Sequence, residues 1–88
     1  MSKQAPNPDW RQLVSRLIKS EMSKRALKYD ELSKRLAEQG TEQTAANLRN
    51  KINRGILGAD LFLQIILAMD VNSIDRDTLR EILDTLDN

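Results

Sequence analysis

Apolar residues recur at helical spacing along most of the chain, and short polar or glycine-containing breaks separate the runs. Trp10, Leu13, Val14, Leu17, Ile18 and Met22 make one such stripe, at i, i+3, i+4, i+7, i+8 and i+12. Asn7-Pro8-Asp9 ahead of it has the chemistry of a helix start. Asn7 is the expected N-cap, Pro8 the first helical residue, and Asp9 an acid favoured by the helix dipole, giving a first helix over 8–23. A short connection follows in which Ala26 and Leu27 are expected to be buried. Leu32, Leu36 and Ala37 then mark a second helix over 29–39, with Gly40 as its left-handed terminator. Thr41 is the expected cap of a third helix over 42–54, which buries Ala45, Leu48 and Ile52 and stops at Gly55. Ile56 and Leu57 are expected to turn inward.

The fourth segment, 59–70, is apolar almost all round. Leu61, Phe62, Ile65, Ile66 and Met69 cover a broad face, and Leu63 and Leu67 stand opposite. A fifth helix over 76–86 has Asp75 as its cap, an Ile74–Leu79 staple, and a stripe of Leu79, Ile82, Leu83 and Leu86. The chain ends in a polar fray. No period-two alternation marks a strand. The pattern predicts an all-α, compact five-helix domain over 8–88, preceded by a flexible polar arm over 1–7.

The third segment carries the most chemistry. Gln43, Asn47, Asn50 and Arg54 project away from its apolar stripe, with Arg49 and Lys51 on the flanks. Asparagine is a mediocre helix former that prefers caps and turns, so Asn47, Asn50 and Asn53 in one helix need a reason. One is recognition: Asn and Gln pair bidentately with adenine in a major groove, and Arg and Lys reach guanine or phosphate. The other is a solvated polar face.

Charge adds to the picture. The net charge is only +1, but residues 11–54 carry +6 and residues 55–88 carry −5. A basic half beside an acidic half suits a protein with one surface toward a polyanion. The chain has no cysteine and no histidine, which removes disulfides, histidine-based triads and conventional zinc sites. No constellation of Asp, Glu, Lys or Ser replaces them, so neither an enzyme nor a cofactor nor a metal site is expected. The longest apolar run, Leu61 to Met69, is broken by Gln64 and is too short to cross a bilayer. A cytoplasmic protein with no membrane association is expected, and nothing points to a small-molecule ligand.

Three motifs in order carry a resemblance. Leu27-Lys28-Tyr29-Asp30-Glu31-Leu32-Ser33 resembles the "L-T-Q-E-E-L-A" opening of helix two in the lambda-repressor-like (XRE-type) helix-turn-helix domains. Ile52-Asn53-Arg54-Gly55 resembles that family's "I-E-R-G" close of helix three, and Leu67-Ala68-Met69-Asp70-Val71 its "L-A-K-A-L-G-V" close of helix four. The resemblance covers Leu13 to Ile74. In more detail the chain is similar to a group of small bacterial domains related to that fold, marked by "Y-x-E-L" and "N-L-x-N-K-I-x-R-G". There are departures. Leu32 to Gly55 is longer than the family spacing, so either helices two and three are extended or the turn between them is wider. Lys28 stands where a Ser or Thr cap is usual, and Tyr29 where a Gln is usual.

The resemblance implies a sequence-specific binder of double-stranded DNA, a small bacterial or phage transcriptional repressor or autoregulator. Gln43, Thr44, Ala46, Asn47 and Asn50 are then expected at base edges, and Lys28, Tyr29, Arg49, Lys51 and Arg54 at phosphates. A homodimer is expected, joined through Leu63, Leu67, Leu79, Leu83 and Leu86; a fifth helix folded over Leu63 and Leu67 is the other arrangement. The alternative function is a protein-interaction module, antitoxin-like or an adaptor, that keeps the fold without specific DNA binding.

Overall fold

The computed structural model describes residues 9–86. The expected arm over 1–7, the Asn7 cap, Pro8 and the last two residues of the expected fray lie outside them. Five helices follow one another: α1 (Trp10–Lys24), α2 (Tyr29–Glu38), α3 (Ala45–Arg54), α4 (Ala59–Ala68) and α5 (Arg76–Leu86). There is no strand among the described residues. The chain is all-α, as its periodicity requires.

The helix starts correct two expectations. Asp9, expected inside the first turn, is itself the cap of α1, and its carboxylate accepts from the backbone N–H groups of Arg11 and Gln12. Thr44, not Thr41, caps α3, its hydroxyl oxygen accepting from the Asn47 N–H at 3.0 Å. Thr41 is occupied elsewhere: its N–H closes the end of α2 by bonding to the Leu36 carbonyl at 2.9 Å.

That closure recurs at the ends of α1, α2, α3 and α4. Leu27, Thr41, Ile56 and Val71 each donate back to a carbonyl of the last turn, after a residue in the left-handed region. This is the Schellman arrangement. Gly40 and Gly55 fill the left-handed position as expected, but Ala26 (φ 52°) and Asp70 (φ 58°) fill the other two. Holding that conformation puts Ala26 on the surface rather than inside.

Packing runs through four helix pairs: α1 on α3, α2 on α3, α2 on α4, and α5 on α1. The central core joins Ile18 and Met22 of α1, Leu32 and Leu36 of α2, Leu48 and Ile52 of α3, and Leu61, Ile65 and Met69 at α4, with Leu27 from the first connection. Trp10 begins the α1 stripe but is 60 % exposed. Ala37 is exposed as well, since Leu32 and Leu36 already fill the inward face of α2. Of the linker pair, Leu57 packs on the core and Ile56 does not. Ile74 remains exposed instead of stapling inward, while Leu79 is half-buried.

Leu63 and Leu67 are 59 % and 69 % exposed on the outer side of α4. No Cα of α5 comes within 8 Å of α4, so the fifth helix does not close over them. It lies on α1 instead, with Leu83 as its buried residue and Arg16 donating to the Thr85 hydroxyl.

Candidate nucleic-acid interface

α3 is locked in place by what surrounds it. Leu48 and Ile52 are fully buried between α1 and α2, and Thr44 fixes its start. Its end is fixed by a close backbone approach at Gly55. A methyl group added there would lie 1.9 Å from the Arg11 carbonyl oxygen in the first turn of α1. Six residues, 39–44, connect α2 to α3, and each helix has ten. The long Leu32–Gly55 spacing is therefore absorbed by a wide turn.

The turn is tied to both of its helices. The Ser33 hydroxyl of α2 donates to the Gln43 carbonyl at 2.6 Å, and the Lys51 ammonium donates to the Gln43 side-chain oxygen at 3.4 Å. Gln43 and Thr44 thus precede the helix. Gln43 is half-buried and engaged with Lys51, and Thr44 is engaged as the cap, so both have structural work apart from any base.

The remaining outward residues share one exposed surface: Ala46, Asn47, Asn50, Asn53 and Arg54, flanked by Arg49 and the half-buried Lys51. α3 contains three cations and no acid. At the start of α2, Lys28 is exposed and Tyr29 half-buried. The Arg49 guanidinium lies 5.7 Å from the centre of the Tyr29 ring, within reach of a cation–π attraction. Burial raises the Tyr29 hydroxyl pKa above the ordinary phenol value, with Arg49 pulling the other way. At neutral pH it is a donor.

Ion pairing divides the cations of the basic half. Lys24 and Arg25 both hold Glu21, a buried acid that the sequence pattern did not single out, at 3.5 and 2.6 Å. Arg35 reaches Glu31 at 4.0 Å and donates to the Ala68 carbonyl at the end of α4. Among the described residues, no carboxylate lies within 4.0 Å of Lys28, Arg49, Lys51 or Arg54. The four cations at and beside α3 are among those left over, together with Lys19 of α1 and Lys34 of α2. The cue that separates the two sets is partly local: Glu21 stands four residues before Arg25, and Glu31 four before Arg35.

Among the described residues, no helix is long and apolar enough to cross a membrane. Residues 10–74 match the family model described as "Domain of unknown function (DUF6471)"; the matched span takes in α1 to α4 and ends before α5. No curated protein and no solved structure matches the chain.

Proposed function

The chain belongs to the DUF6471 family, and we propose that it is a sequence-specific double-stranded DNA-binding protein, a small transcriptional repressor or autoregulator of lambda-repressor-like architecture. The observation that carries this reading is α3 itself. It presents exposed carboxamides and cations without carboxylate partners on one side, while its other side is fixed in the core. In this reading α3 enters a major groove. Asn47 and Asn50 read base edges, and the Ala46 methyl lies against a thymine methyl. Lys28, Arg49, Lys51 and Arg54 hold phosphates, with the Tyr29 hydroxyl donating beside them.

Selection of bound sequences from a random duplex library tests the reading, followed by titration of the selected site at several salt concentrations. Neutralising Z phosphates gives a log–log salt slope of about −0.9Z. Replacing Arg54 with Ala is expected to make the slope shallower by about one unit and to weaken all sequences alike. No enrichment, together with no binding at low salt, rejects the proposal.

A second copy completes the reading. Leu63 and Leu67 lie one helical turn apart and outward, and burying a leucine fully contributes roughly 1.5–3 kcal/mol. A two-fold contact through them would ask for a palindromic site with half-sites about 34 Å apart. Leu83 is already used inside the chain, and Leu79 and Leu86 are half-buried on α5. The same exposed pair favours the other reading, an antitoxin-like or adaptor module that docks a protein partner through α4. Salt-independent behaviour toward duplex DNA would leave that reading in its place.

A further inference from the structure

We propose that the cleft between α1, the start of α2 and α3 binds a small organic anion with an apolar body, an aryl or alkyl carboxylate or phosphate, and that this ligand competes with DNA. The competition rests on the DNA-binding reading; the binding does not. The cleft measures about 460 Å³, within the range of roughly 300–1,000 Å³ common to small-molecule sites. The half-buried Tyr29 and the edges of Met22 and Leu27, both more than nine-tenths buried in the core, line its apolar side.

Three cations line the same cleft from three different elements: Lys19 of α1, Lys28 ahead of α2, and Arg49 of α3. None of them has a carboxylate within 4.0 Å among the described residues, and Asp30 is the single acid in the lining. The cleft is therefore net cationic. Tyr29 adds a hydroxyl donor beside Arg49.

The combination selects the ligand class. An inorganic anion satisfies the cations but gains nothing from Met22 and Leu27. A DNA backbone reaches Lys28 and Arg49 but brings no apolar group to the cleft. A compact anion with a hydrophobic body uses both features, because the apolar part is desolvated while the charge is paired. Since Lys28 and Arg49 are also the proposed phosphate contacts, occupancy by such a ligand would remove them from DNA.

The test uses the full chain and 2-naphthyl phosphate, followed by probe fluorescence and backbone amide shifts, with inorganic phosphate and 2-naphthol as separate arms. The expected result is binding about tenfold or more tighter than either fragment, with shifts concentrated at Ser23, Leu27, Tyr29 and Arg49. Lys19→Ala and Arg49→Ala are each expected to weaken the probe several-fold; Lys19 is exposed, so its variant should keep the melting temperature, whereas Arg49→Ala also gives up the attraction to the Tyr29 ring. Inorganic phosphate binding as tightly as the probe would overturn the proposal, as would affinity unchanged in both variants. DNA binding with no probe binding overturns the cleft and leaves the DNA reading intact. Probe binding with no DNA binding supports the cleft and removes the competition. Simultaneous binding of both also removes the competition.

Discussion

Two glycines end helices in the same conformation and are expected to answer differently to a single methyl. At Gly40 the added carbon meets nothing within 4 Å, so Gly40→Ala carries only the left-handed penalty, about 1–2 kcal/mol. At Gly55 the same substitution meets the Arg11 backbone, and Gly55→Ala adds an overpacking cost of about 1–3 kcal/mol or prises α3 from α1. Denaturant unfolding of the two variants separates them; equal losses would mean that the approach at Gly55 is relaxed in solution. The reverse substitution is informative at Ala26, which holds a φ of 52° with a side chain. Ala26→Gly is expected to raise stability by up to about 1 kcal/mol, the relieved strain exceeding the entropy the extra freedom gives the unfolded chain. The terminators at Gly40 and Gly55 were legible because glycine after a periodic run is a local signal. Ala26 and Asp70 were not, since the bonds that hold them there are made by the folded turn. The Gly55–Arg11 approach also leaves no mark in sequence, because it depends on how two distant helices cross.

At the scale of the element, α3 was legible where its burial is periodic and illegible where its caps compete. Leu48 and Ile52 identified the inward face, and both are fully buried. The start was misplaced because Thr41 and Thr44 are both good caps, and only the closure of α2 decides which one is free. Thr44→Ala is accordingly expected to cost about 1 kcal/mol of stability, the usual value of a helix cap, and Thr41→Ala less; thermal melts of the pair give the order. Asn47 and Asn50 are exposed, and their side chains make no hydrogen bond with the described residues. Replacing either with Ala is therefore expected to hold the melt or raise it slightly, since Ala is the better helix former. Each should cost about 1–3 kcal/mol on a selected DNA site and little on random DNA, if the side chain pairs with a base. Equal losses on both kinds of DNA would reduce these residues to backbone contacts. Which cations stand near α3 was legible from the charge run, whereas which of them lack a partner depended on the ion pairs formed around Glu21 and Glu31.

For the whole molecule, the stripe on the fifth helix told that it needs cover but not from where. Either the outer side of α4 or the flank of α1 would serve an amphipathic helix of that length, and the chain uses α1. Leu63 and Leu67 are left bare as a result, and sedimentation at micromolar concentration is expected to show a dimer that Leu63→Lys with Leu67→Lys returns to monomer at unchanged helicity. A wild-type monomer that stays single on a palindromic site would leave α4 without that role. The placement of α5 also bears on how the fold opens with time. Among the helices it touches α1 alone, while α2, α3 and α4 share the central core. Its release breaks one seam and leaves the rest closed, so α5 is expected to be a separate unit of native-state hydrogen exchange, with its amides losing protection first. The amides of Leu48 and Ile52 should exchange only on global unfolding. Uniform protection across all five helices would mean that α1 transmits the loss of its outer neighbour to the core, and that the fifth helix, though it lies beyond the matched span, folds as one with it.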